Sequence, residues 1–67
     1  MDAWLVVENV SGEHYYTAFT NYKKAEKLYV KKAKENGIKK SVYKGNDAAS
    51  TEDGDWWIEI LVINLEE

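Results

Sequence analysis

Residues 56 to 65, WWIEILVINL, place apolar side chains on both faces of an alternating strand. Trp56, Ile58, Ile60 and Val62 share one face, and Trp57, Leu61, Ile63 and Leu65 share the other, where Glu59 is the one charged member. Residues 3 to 10, AWLVVENV, divide the same way, Trp4 and Val6 against Ala3, Leu5 and Val7. Both segments read as strands. Ser11 and Gly12 supply turn chemistry, and HYYTAF at 14 to 19 is a second β-prone run of aromatic and branched residues, so the first two segments predict an antiparallel hairpin.

The hydrophobic period then changes. Tyr22, Ala25, Leu28, Tyr29 and Ala33 recur at spacings of three and four, which predicts a helix over 21–36 with those residues as its buried stripe. Thr20 is the expected N-cap, and Asn36-Gly37 ends the helix because glycine accepts the left-handed conformation of a C′ residue. Lys31, Lys32 and Lys34 sit near its C-terminus, where the macrodipole favours positive charge. IKKSVYK, 38 to 44, sets Ile38, Lys40 and Val42 against Lys39, Ser41 and Tyr43 and predicts a third strand, its lysines suited to a sheet edge. GNDAASTEDGD, 45 to 55, lacks a large apolar side chain and predicts an acidic loop.

The order β-β-α-β-β, in a single domain over 1–67, predicts an α+β two-layer sandwich: a four-stranded, largely antiparallel sheet with one helix on one face. The two most apolar strands, first and last, belong in the centre. The second and third then lie at opposite edges, where the helical crossover between them allows a parallel relation. One helix covers one face only. The other face should therefore display Trp57, Leu61 and Ile63 to a protein partner, either a second copy, giving a homodimer, or a different chain. The alternative is that the 45–55 loop or the C-terminus folds over this face, or that the sheet curls upon itself.

Composition narrows the chemistry. The 67 residues include no cysteine and one histidine, so no disulfide or thiolate metal site is expected, and His14 has no partners at metal-ligand spacing. A chain this small buries only about 60% of its unfolded surface, and self-association is a common remedy. MDAWLVVENV has no basic n-region, and no stretch approaches the roughly 20 apolar residues of a membrane span, so a cytoplasmic location is expected and no membrane partner. General acid–base catalysis has His14 beside Glu13 as its one obvious candidate, without a nucleophile. Ser11 and Ser50 lack an elbow context, and the four glycines are isolated, so no phosphate-cradling loop exists. The 45–55 carboxylates do not have calcium-loop spacing. No catalytic residue, cofactor, metal or small-molecule substrate is expected.

Charge is segregated. All nine basic residues are lysines between 23 and 44; with Glu26 and Glu35 that segment carries +7, and the ten remaining acids leave −10 elsewhere, for a net −3. Lys23, Lys27, Lys31 and Lys34 line one helical side and form a candidate nucleic-acid stripe. Against it stand the absence of arginine and the net acidity; the plain reading is a solvated helix face. Asp47, Glu52, Asp53 and Asp55, joined by Glu59, Glu66 and Glu67, form a candidate protein-binding surface that steers a basic partner or mimics DNA phosphates, the plain alternative being a solubilising loop and tail.

AFTNYKKAEKLYVKKAKENG resembles a strand-to-helix junction common in short proteins of bacteriophages and prophages, in which a strand ending in Phe-Thr or Phe-Ser precedes a helix opening with Lys-Ala-Glu. The likeness covers about a third of the chain, and no site residue carries over from it. It implies a phage-type protein that binds and inhibits or redirects a host or defence protein in the cytoplasm of a bacterial host.

Overall fold

A computed structural model describes residues 2–64; Leu65, Glu66 and Glu67 lie outside the described residues. The elements are β1 (Asp2–Val10), β2 (Glu13–Phe19), α1 (Tyr22–Glu35), α2 (Lys40–Tyr43), β3 (Ala48–Ser50) and β4 (Trp56–Asn64). They form an antiparallel sheet of order β2-β1-β4-β3 with α1 packed on one face. The long apolar strands are central, as their two-sided hydrophobicity requires. The edge strands β2 and β3 run antiparallel to each other, because β1 and β4 oppose one another and each edge strand opposes its inner neighbour. The parallel relation allowed by the sequence is thereby excluded.

Local chemistry accounts for the boundaries. Val10 pairs with Glu13 across Ser11 and Gly12, whose φ values of 50° and 92° are both positive. That is the signature of the two-residue I′ turn, whose twist matches its flanking strands. The N-cap of α1 is Asn21, not Thr20: the Asn21 Oδ1 accepts the backbone N–H groups of Lys23 (2.8 Å) and Lys24 (3.3 Å). Asn21→Ala should therefore lower stability by about 1 kcal/mol in urea denaturation, and Thr20→Ala by less than about 0.5 kcal/mol. At the other end Gly37, at φ 72°, donates to the Lys34 carbonyl (3.1 Å) while Ile38 donates to that of Ala33 (3.0 Å), a Schellman closure that turns Ile38 back onto the core.

Residues 38–44 are not a strand. Lys40–Tyr43 form one helical turn, with the Val42 N–H bonded to the Lys39 carbonyl and the Lys44 N–H to that of Lys40, each at 2.9 Å. Tyr43 is buried and Val42 exposed. The third strand lies instead within the segment read as a loop. Ala48–Ser50 pairs with Trp57–Glu59, and only Ala49 faces the core, in one cluster with Tyr43 and Ile58. The large side chains near this edge come from α2, so the strand itself needs none.

The core lies between α1 and the even-numbered residues of β1 and β4. Ala25, Tyr29 and Ala33 of the helix meet Val6, Trp56, Ile58 and Ile60, with Leu28 at the margin. Tyr29 and Ile58 are each 1% exposed, and the Tyr29 hydroxyl donates to the Tyr43 carbonyl at 3.3 Å, tying α2 to α1. The Trp56 indole N–H donates to Glu8 Oε2 at 2.7 Å, so the polar edge of a buried ring is satisfied across the sheet. One residue of the apolar strand face and one of the helical stripe stand apart from this core. Val62 is 65% exposed, in the row of Trp4 and Phe19, and Tyr22 is exposed while packing edge-on against Trp4 at 6.2 Å.

Candidate protein-binding face

The strand registers resolve the odd-numbered side of β1 and β4 into rows. His14, Asn9, Trp57 and Ser50 form the first; Tyr16, Val7, Glu59 and Ala48 the second; Ala18, Leu5 and Leu61 the third; Ala3 and Ile63 the fourth. Side chains on central β1 are screened by their larger neighbours, and Ala3, Val7 and Asn9 are buried although α1 lies on the opposite face. Screening stops at the outer columns. Tyr16 is 63%, Leu61 41% and Ile63 36% exposed, whereas Trp57 and Leu5 are half-buried. In the third and fourth rows Leu61 and Ile63 stay exposed among the described residues, while Ala3 beside them is buried.

The face has two ends of different character. At one, the His14 ring lies 5.6 Å from Trp57 at 62° and 6.4 Å from Tyr16 at 24°, an aromatic trio above buried Asn9. Asn9 Nδ2 donates to the Asp55 carbonyl at 3.2 Å, which anchors the β3–β4 turn to β1. About 14 Å further along the strands, at roughly 3.4 Å per residue, Leu5, Leu61, Ala3 and Ile63 make an aliphatic end. Glu59, half-buried, is the carboxylate between them.

His14 is therefore not paired with its sequence neighbour. Glu13 points to the helix side, where its Oε2 accepts the Tyr15 hydroxyl at 2.8 Å. Sequence reasoning did not assemble the trio of His14, Tyr16 and Trp57. The legible signal was the hairpin register: a two-residue turn at Ser11-Gly12 sets His14 opposite Asn9, and Trp57 follows from the other flank.

The acidic candidates separate. Asp47 belongs to the helix side: its carbonyl accepts the Ile60 N–H (2.8 Å) and its Oδ1 accepts the Tyr22 hydroxyl (3.0 Å). That bond, with some burial, pushes the Tyr22 phenol up to about 12. Asp47 does not share a surface with Trp57, Leu61 and Ile63. Asp53 is folded into the β3–β4 turn, its Oδ1 accepting the Thr51 hydroxyl (2.6 Å) and the Asp55 N–H (3.0 Å), which hold its carboxyl below the usual range. Glu52, Asp53 and Asp55 are exposed at that turn, next to the Trp57 end of the face and remote from the aliphatic end.

Lys23, Lys27, Lys31 and Lys34 are all exposed on α1, on the opposite side of the molecule from the open face. Lys24, Lys27 and Lys31 line a shallow groove with Phe19 and Leu28, where α1 lies beside the end of β2. Among the described residues no group of three or more His, Cys, Asp or Glu side chains is placed to hold a metal ion, and no helix is long and apolar enough to cross a membrane.

Fold and face together define a small two-layer α+β domain in which, among the described residues, Leu61 and Ile63 stay exposed on the sheet face opposite α1. Comparison with protein-family models, with curated proteins and with solved structures found no match to this chain.

Proposed function

We propose that this is a non-enzymatic protein-binding module that docks a partner protein on its open sheet face. The observation that supports the reading is the exposure of Leu61 and Ile63 beside Leu5 on a regular antiparallel sheet. Fully burying such a side chain is worth about 1.5–3 kcal/mol. An apolar patch bounded by an aromatic trio and a carboxylate suits a partner surface with an aliphatic centre and a basic or hydrogen-bonding rim. Glu52, Asp53 and Asp55 at one end favour approach by a positively charged protein, raising the encounter rate more than the final affinity.

Leu61→Asp tests the reading. Affinity capture from a bacterial lysate with the wild-type chain should retain a defined protein. The variant should bind that protein at least about 30-fold more weakly, as for loss of a central contact, with an unchanged circular dichroism spectrum. Lys27→Glu, on the far side, should leave retention intact. Equal retention by wild type and Leu61→Asp would remove the face from consideration. A second reading, nucleic-acid binding, draws on the shared exposure of Lys23, Lys27, Lys31 and Lys34. It requires duplex or single-stranded binding that weakens steeply with salt and is lost in Lys27→Glu.

A further inference from the structure

We infer that the β2 edge is a self-pairing surface, joining two copies of this chain through antiparallel β2 strands into one continuous eight-stranded sheet. The backbone bonds around the sheet determine which groups are free. Ser11 N–H donates to the Asp55 carbonyl, Ile60 N–H to that of Asp47, and Thr51 N–H to Trp56 (2.8, 2.8 and 2.9 Å). Even-numbered residues of β4 therefore bond toward β3, and odd-numbered residues of β1 toward β4. By the same alternation even-numbered residues of β1 bond toward β2, at Glu13, Tyr15, Thr17 and Phe19. The N–H and C=O groups of His14, Tyr16 and Ala18 point outward from the sheet, where among the described residues no strand pairs with β2.

Edge strands normally carry something that discourages pairing: brevity, lysine, proline, a bulge or a cover. The other edge has two of these, since β3 has three residues and α2 lies against it. β2 has seven residues, paired one-to-one with β1 without a bulge, six of them exposed. None of the nine lysines and no proline falls in it. The lysines expected to guard an edge at 38–44 lie instead on the α2 segment.

The strand is self-complementary in one register. With a two-fold axis normal to the sheet at Tyr16, Tyr16 meets Tyr16 of the second copy and His14 meets Ala18, the residues whose polar groups are free. The same register sets Glu13 of the second copy opposite Phe19, on the helix side, where Lys24, Lys27 and Lys31 converge. An acid thus arrives at a basic groove twice per dimer. Both helices fall on one side and both open faces on the other, in one surface. This pairing is independent of the proposed partner docking, because it uses the edge and requires no other protein.

Sedimentation and amide hydrogen exchange of the wild-type chain test it. Below about 1 mM the mass should rise with concentration toward twice the 7.7 kDa protomer, with protection of the His14, Tyr16 and Ala18 amides rising in parallel. Tyr16→Pro should abolish the dimer, Tyr16→Ala should retain it within a few-fold, and Glu13→Lys should weaken it several-fold. A monomer throughout, or a dimer whose three amides stay unprotected, would overturn the pairing. So would a dimer abolished by Leu61→Asp and untouched by Tyr16→Pro, which would place the contact on the open face. Indifference to Glu13→Lys would overturn the register.

Discussion

Tyr29→Ala is expected to leave the chain largely unfolded at room temperature. A domain of this length has about 3–10 kcal/mol of stability in total, at 0.05–0.15 kcal/mol per residue. Truncating a fully buried aromatic removes about 3–5 kcal/mol of it. Tyr29 is 1% exposed at the centre of the α1–sheet contact, and its hydroxyl also holds the Tyr43 carbonyl. The buried residues one helical turn to either side, Ala25 and Ala33, are too short to fill the void. The expected readout is loss of the cooperative urea transition and of most helical dichroism. Tyr29→Phe separates packing from hydrogen bonding: it keeps the ring and should cost only about 1 kcal/mol. A cooperative transition in Tyr29→Ala within 1 kcal/mol of wild type would show that this side chain is not the keystone of the core.

The adjacent tryptophans should respond oppositely. Trp56 is buried beneath α1 with its indole N–H on Glu8, whereas Trp57 is half-buried on the open face against His14. Trp56→Ala should cost about 3–5 kcal/mol and abolish folding together with any binding. Trp57→Ala should cost about 1 kcal/mol, keep the fold, and weaken partner capture if the open face is the docking surface. Urea melts of the two variants are sufficient to compare them. Equal losses would mean that both faces of β4 are equally enclosed. Glu8→Gln isolates the Trp56 contact: it retains an acceptor oxygen, so a loss of more than about 1–2 kcal/mol would assign the carboxylate charge itself a structural role.

Much of this architecture is legible in the residue pattern because local geometry and burial agree. Two-sided apolar strands at 3–10 and 56–65 demand central places; a stripe at three- and four-residue spacing demands a helix across them; Gly12 and Gly37 mark turns that require positive φ. The misread positions share a cause. Thr20 and Asn21 are both competent caps, and only the direction in which the chain enters α1 selects Asn21. IKKSVYK alternates well enough for a strand over seven residues, yet the Schellman closure at Gly37 delivers Ile38 to the core and sends the following turn across the sheet edge. AAS carries no hydrophobic signal, because Tyr43 of α2 and Ile58 of β4 supply the apolar bulk around Ala49.

The candidate surface was legible only in part, for a related reason. That Trp57, Leu61 and Ile63 share a strand face follows from alternation alone. Their association with Leu5, Val7, Tyr16 and His14 depends on register across two strand pairs, which single-strand periodicity does not contain. Asp47 illustrates the limit: the sequence groups it with the acids Glu52, Asp53 and Asp55 of the same segment, but pairing opposite Ile60 turns it to the helix side and onto Tyr22.

By itself, then, the order of side chains determined the element types of the long segments, the inner position of β1 and β4, and the surplus of apolar surface over what one helix covers. These are properties of period and composition, which neighbours along the chain establish. Tertiary structure alone decided that β3 forms at Ala48–Ser50, that the lysines of 39–44 leave the sheet edge, and that no described strand pairs with the outer edge of β2. Each of those depends on which distant groups satisfy a backbone bond or fill a gap, and such pairings exist only once the chain has closed on itself.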